Sequence, residues 1–502
     1  MRHGGVMMKP SQVRLLALAF LLAPSLAAGL DWPMYGRDLK HSFTNADSLI
    51  NPSNVTLLAP AWDFTTGDAV SASPAVVDGV VYVGSWDGFF YALDAASGTL
   101  MWSFQVDCQS TVQPIPAQCP GGPSAPQDRA QTDGGLITSS AAVVDGKVYF
   151  AGGKTMYCLN AADGTLVWKK IICGNPEAVN CESDANDPTR IFSSPAVFKR
   201  RVFIGHTTDG ANGYRGTIVA LDARTGQIRR RFETDPVLDA NGKPVRGPGQ
   251  NRGCGGVWSS AAVDERKRLV FFGTADCGFD APPPYHEAML ALRAGSLKVS
   301  WAFRPRQGDI CDFDFGASPN ILDVGANQWV GEGGKDGTYY VLKRVTPNRG
   351  GELVWRANVV FGGFSGGFIG STAFDGQRVY GGTAFGELGN PNGVCNPSDP
   401  RDTVLQQPTM HAFDPAARTV PWEENGGPAA GASSVANGVV FVGSSAPNSL
   451  RAFDAQSGML LQEFPMLGAV NSSAALVGDT LFVGSGDSES GAGSGVHALR
   501  PM

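Results

Sequence analysis

Eight copies of one pattern run through this chain, and that repetition limits the fold more than any other feature of the sequence. Each copy has two small residues, a short apolar stretch, a turn and a β-rich run ending in glycine. The copies occupy residues 72–84, 139–152, 193–205, 259–273, 317–331, 371–381, 433–443 and 472–484. Most are followed by a second unit of apolar strand, turn and aromatic strand. Ala92-Leu93-Asp94 leads to Trp102, Cys158-Leu159-Asn160 to Trp168, and Ala412-Phe413-Asp414 to Trp422. Alternating β-branched and aromatic residues bounded by Asp-Gly or Ser-Gly make about four strands per copy. Such units, about 40 to 70 residues apart, predict propeller blades lengthened by insertions. The expected fold is all-β, an eight-bladed β-propeller. The last copy ends at Val496-His497-Ala498-Leu499 without its aromatic strand, and Ala61-Trp62-Asp63-Phe64 resembles the missing piece. The N-terminal strand is therefore expected to close the ring and leave no open edge. Trp102, Trp168, Trp301, Trp355 and Trp422, with Phe232 and Phe464 in two copies, are expected to fill gaps between blades.

Composition agrees. Sixty-five glycines and 33 prolines favour strands and turns over helix bundles. Hydrophobic residues at 43% can bury a core, and 17% charge argues against a disordered chain. A net charge of −7 offers no basic footprint for nucleic acid. Arg2, Lys9 and Arg14, then an apolar run over residues 15–22, then Ala23-Pro24-Ser25-Leu26-Ala27-Ala28, read as a secretory signal. Residues 1–28 are expected to be cleaved, and residues 29–502 to form the propeller in the periplasm or outside the cell. The apolar run is too short to cross about 30 Å of hydrocarbon, so no stable membrane span is expected. Nine cysteines suit an oxidising compartment. Cys108 with Cys119, Cys173 with Cys181, Cys254 with Cys277 and Cys311 with Cys395 are the expected pairs, and Cys158 is expected to be a buried thiol. No Cys-x-x-Cys-His occurs, so covalent c-type haem is not expected on this chain.

Function is sought where copies depart from the pattern, because the fold does not demand those residues. Two segments depart most. Gly253-Cys254-Gly255-Gly256-Val257-Trp258, with Gly273-Thr274-Ala275-Asp276, places a tryptophan just before a strand. Asp309-Ile310-Cys311-Asp312-Phe313-Asp314 places three acids within six positions ahead of the fifth copy.

With these motifs, the opening Asp31-Trp32-Pro33-Met34-Tyr35-Gly36 and the element Ser85-Trp86-Asp87-Gly88, the chain resembles the quinoprotein alcohol dehydrogenases, above all the polyvinyl alcohol dehydrogenase branch. These are eight-bladed propellers that bind pyrroloquinoline quinone (PQQ). The resemblance implies that Trp258 carries the indole on which the quinone stacks. It implies that Asp276, eighteen positions on, supplies a metal oxygen where the family has asparagine. Asp312 matches the catalytic carboxylate, which also ligates the metal, with Cys311 and Gly308 replacing the family's tryptophan and histidine. Asp314 matches an extra carboxylate of lanthanide-preferring members. Lys335, before Asp336-Gly337, matches the basic residue that contacts the quinone oxygens. Ala211 stands where the family has a metal-binding glutamate, with Asp209 as the nearby substitute. Adjacent paired cysteines near the quinone are absent.

The resemblance further implies PQQ with Ca2+ or a lanthanide, an alcohol substrate and a separate cytochrome c as electron acceptor. Loops over residues 362–370 and 386–401 would shape the substrate pocket, and their glycines suit an open site for a polymer. The competing expectation is a non-catalytic propeller that binds partner proteins, as outer-membrane assembly factors do. Those scaffolds lack Trp258, Asp312 and Lys335 as a set.

Overall fold

The repeat folds into eight four-stranded sheets, each antiparallel and each built from consecutive strands except the last. The computed structural model describes Met1 and residues 31–107, 137–174, 189–207, 216–236, 254–277, 285–306, 311–345, 350–363, 366–384, 408–487 and 492–502. Blade 1 contains Ala75–Val77, Val80–Gly84, Phe89–Asp94 and Leu100–Gln105; blade 5 contains Asn320–Val324, Asn327–Gly333, Thr338–Lys343 and Leu353–Asn358. In the last blade the outer strand is Leu58–Thr65, paired with Gly495–Pro501 so that Trp62 faces Ala498 and Phe64 faces Val496. The N-terminal strand closes the ring, as the missing aromatic strand of the eighth copy predicts.

The repeated residues have separable packing roles. Indole N–H groups of Trp62, Trp102, Trp168, Trp301 and Trp422 donate to carbonyl oxygens of the next blade at 2.9–3.0 Å. The tryptophans therefore dock between blades, combining area burial with a satisfied donor. In several copies the glycine ending the second strand admits a side chain from the next blade. A Cβ on Gly84 would lie 2.0 Å from Ile137, and one on Gly484 2.5 Å from Val70. In blade 5 this strand runs to Gly333, past the Gly331 that the repeat suggests, and a Cβ on Gly333 would lie 2.4 Å from Phe368.

Two devices occupy the axis. The backbone N–H groups of Ser73, Ser140, Ser194, Ser260 and Ser318 each donate to the serine hydroxyl of the following blade, and Ser473 donates back to Ser73, all at 2.8–3.0 Å. By strand register blade 7 has Ala432 at this position. Residues 31–48 then run beneath the innermost strands. Backbone bonds join Trp32 to Val76, Pro33 to Val143, Leu39 to Val263, Lys40 to Ile321, Ser42 to Phe374 and Phe43 to Val435. The Asn45 side chain reaches the Leu476 carbonyl at 2.7 Å. Seven of the eight innermost strands thereby gain a partner for an edge that would otherwise be unpaired. This segment covers one end of the axis. The turns that begin the innermost strands, and those joining second to third strands, gather at the other end.

Among the expected disulfides, Cys254–Cys277 is formed. Cys173 is disulfide-bonded, and its expected partner Cys181 lies outside the described residues. Cys158 is a buried thiol as expected. Cys311 is also a buried thiol, in place of the expected pair with Cys395. Cys108, Cys119 and Cys395 lie outside the described residues, as do residues 2–28 of the expected signal. Among the described residues no helix is long and apolar enough to cross a membrane.

Candidate functional site

Blades 4 and 5 carry the site at the end of the axis away from the 31–48 segment. Trp258 precedes the innermost strand of blade 4. Its indole lies directly on the Gly316 backbone, since a Cβ there would meet the ring at 1.7 Å. The segment bearing Trp258 pairs with the segment bearing Asp276, through Gly255 N–H to the Asp276 carbonyl at 2.9 Å and Ala275 N–H to the Gly256 carbonyl at 2.7 Å. The Cys254–Cys277 disulfide ties the same two segments covalently.

Asp314 is the centre of the arrangement. Its side chain accepts the Trp258 indole N–H at 3.0 Å and the Asp276 backbone N–H at 2.7 Å. Its backbone carbonyl accepts the Lys335 N–H at 2.8 Å. Asp314 and Lys335 are each only 5% exposed. Asp314 is thus part of a buried wall. The Lys335 ammonium donates to Asp312 at 2.5 Å and lies 3.8 Å from Asp314. Asp312 has φ 60°, a left-handed conformation that aspartate tolerates better than most residues and that turns its carboxylate toward Lys335.

Carboxylate oxygens of Asp276, Asp312 and Asp314 all lie within 4.8 Å of one another. Burial, with Asp314 and Asp276 close by, pushes the Asp312 carboxyl well above the usual carboxylate range, against the pull of Lys335. Burial opposes the charge on Lys335, but Asp314, Asp312 and Asp276 outweigh it and raise the affinity of the amine for its proton. Three carboxylates facing one ammonium form a hard, oxygen-only donor set with a surplus of negative charge. That set fits Ca2+ or a trivalent lanthanide. The flat indole beside it fits a planar ring. Trp258, Asp276, Asp312, Asp314 and Lys335 are therefore brought together; Asp209 and Ala211 lie outside the described residues.

Sequence reasoning missed two neighbours. Arg306 donates to the Phe313 carbonyl at 3.0 Å and pairs with Asp336. Its signal is the Arg304-Pro305-Arg306 run just ahead of the acidic segment. Glu332 is fully buried, and among the described residues its carboxyl oxygens have no hydrogen-bond partner. It fills the space over Gly273 beside the Phe315 carbonyl, and burial holds its carboxyl well above the usual range. Its signal is an acid within the strand run Val330-Gly331-Glu332-Gly333.

The family model for the PQQ glucose/ethanol/alcohol dehydrogenase β-propeller domain matches residues 32–357, which contain all five converging residues. The model for the outer membrane protein assembly factor BamB matches residues 340–501, which contain none of them. A quinohemoprotein alcohol dehydrogenase, ADH IIB of Pseudomonas putida, is 27% identical over 70% of this chain and 54% of its own length. The polyvinylalcohol dehydrogenase of Sphingopyxis sp. is 23% identical over 72% of this chain and 55% of its own. The chain spans about half the length of the curated relatives it matches. A europium-containing methanol dehydrogenase superposes with TM-score 0.74 over 94% of this chain and 98% of its own, at 18% identity. That likeness establishes the shared fold.

Proposed function

The chain belongs to the PQQ-dependent glucose/ethanol/alcohol dehydrogenase β-propeller family, and on that premise we propose that it oxidises alcohol groups with PQQ and passes electrons to a separate cytochrome c. Secondary or polymeric alcohols, polyvinyl alcohol among them, are the substrates proposed, with residues 1–28 as an export signal and the periplasm or exterior as the location. One observation carries the reading: an indole, an ammonium and three carboxylates, from positions 258 to 335, meet at one end of the propeller axis.

Asp276, Asp312 and Asp314 would hold Ca2+ or a lanthanide through carboxylate oxygens, with Asp209 proposed as a further ligand. Trp258, seated on Gly316, offers its flat face to the quinone and fixes its plane. Bound there, PQQ supplies the two-electron acceptor for hydride from the alcohol carbon. Lys335 offers its ammonium to neighbouring anionic oxygens, and together with a bound cation it would offset the burial that raises the Asp312 carboxyl and leave it ionised. Asp312 receives the alcohol hydroxyl proton on a carboxylate oxygen. Asp314 holds the indole, the Asp276 backbone and the Lys335 charge in one register.

The test is dye reduction by the purified protein with PQQ, Ca2+ or a lanthanide, and primary, secondary or polymeric alcohols. Reduction that requires both quinone and metal is expected. Absence of reduction with every alcohol, when the quinone is demonstrably bound, would overturn the reading. A second reading, a partner-binding scaffold, rests on the assembly-factor match over residues 340–501. It requires neither quinone nor metal affinity, so the same binding measurements separate the two.

A further inference from the structure

We propose that Arg306 is a positioning residue that aligns the two segments carrying Asp312 and Lys335, and that the site depends on its fork geometry and not only on its charge. The inference rests on the quinoprotein reading.

The reason lies in how blade 1 solves the same problem. In blade 1 the turn aspartate Asp87 accepts the Tyr91 hydroxyl at 2.6 Å and grips the backbone N–H of Gly67 directly at 2.8 Å. In blade 5 the equivalent turn aspartate, Asp336, accepts the Tyr340 hydroxyl at 2.5 Å. The two blades share a register marker: Trp86 N–H bonds the Ala69 carbonyl, and Lys335 N–H bonds the Asp314 carbonyl. By that marker the residue matching Gly67 is Asp312.

Asp312 turns toward Lys335 with a left-handed backbone. Arg306 instead joins the two segments. It pairs with Asp336, next to Lys335, and donates to the Phe313 carbonyl, between Asp312 and Asp314, at 3.0 Å. Its guanidinium also covers the Phe313 ring at 5.0 Å. A third contact, 3.6 Å to Glu287, reaches the segment of Asp276, because Glu287 N–H bonds the Ala275 carbonyl at 2.9 Å. One planar, multi-donor group thus touches the segments of Asp312 and Lys335 directly and reaches that of Asp276 through Glu287. A lysine presents a single point charge and cannot span these directions together.

The experiment compares wild type, Arg306→Lys and Arg306→Gln, with Asp87→Asn in the opposite blade as a control. Terbium(III) alone is titrated into the protein and followed by tryptophan-sensitised luminescence. Melting temperature is measured without ligands, and kcat and KM with PQQ and metal. Both Arg306 variants are expected to lose about ten- to hundredfold in terbium affinity and in kcat, with alcohol KM little changed. Lysine is expected not to rescue. Wild-type terbium affinity and kcat in Arg306→Lys would overturn the assignment. Losses of equal size in Asp87→Asn would assign them to general loosening of the ring, and would also overturn it. A wild-type protein that binds neither terbium nor PQQ would overturn the quinoprotein reading and this inference together. Normal wild-type binding with unaffected variants would remove Arg306 alone.

Discussion

Blades 1 and 5 stand four places apart in a ring of eight sheets and carry nearly the same backbone around the turn between second and third strands. Ser85 N–H bonds the Phe89 carbonyl at 3.0 Å, as Gly334 N–H bonds Thr338 at 2.9 Å; Val106 N–H bonds Gly88, as Val359 N–H bonds Gly337. Their chemistry differs through a few side chains. Where blade 5 has Asp314, Gly316 and Lys335, blade 1 has Ala69, Ser71 and Trp86, and the Trp86 indole donates to Ser71 at 2.8 Å. One frame thus holds a neutral, internally satisfied pair in blade 1 and an ammonium among carboxylates in blade 5. The backbone bonds that support the site are those the repeat makes without any site. Function entered by substitution at positions the fold leaves open.

Asp312→Asn should break the blade 5 side most severely. Dye-linked alcohol oxidation is expected to fall by about 10²–10⁴-fold while PQQ binding persists. Full activity would remove Asp312 from the proton transfer. Lys335→Met should come next, because it strands buried Asp314 and half-buried Asp312 without their cation. Urea unfolding of the ligand-free protein is expected to show a loss of about 3 kcal/mol. Trp86→Phe, at the matching place in blade 1, deletes one neutral hydrogen bond and is expected to cost about 1 kcal/mol. Equal losses in the two variants would erase the distinction between the blades. Trp258→Ala is expected to weaken PQQ retention about tenfold, measured by fluorescence titration or equilibrium dialysis. Unchanged affinity would mean that the ring stacks elsewhere. Asp87→Asn should have the smallest effect, about 1 kcal/mol of stability with terbium and PQQ affinity unaltered.

Much of this is legible in the sequence alone. The small-residue pairs, strand alternation and turn glycines marked the blades, because each reports on contacts within a few residues or with the adjacent blade. The unpaired eighth copy pointed to closure by the Trp62 strand. Trp258, Asp276, Asp312, Asp314 and Lys335 stood out as departures from the repeat or through family motifs. Arg306 did not, since its partners Phe313 and Asp336 become meaningful only once the 312 and 335 segments are adjacent. The Cys311–Cys395 pairing failed because spacing alone gave no account of where the Cys311 side chain lies, which is the buried wall beside Asp312. Residues 31–48 read as a motif-bearing opening; nothing local shows that they cross beneath seven inner strands.

The chain by itself settles the number of blades, their strand content and the manner of closure, since those follow from short-range periodicity repeated eight times. Convergence is different in kind. Whether Asp312 meets Lys335, whether Asp314 faces water or the Trp258 indole, and whether one guanidinium can reach Phe313, Asp336 and Glu287 all depend on side-chain directions across two blades of a closed ring. Hydrophobic periodicity is indifferent to those directions, because a polar group at a turn gains or loses by angstrom-scale placement in a region of low dielectric, and only the assembled propeller sets that placement.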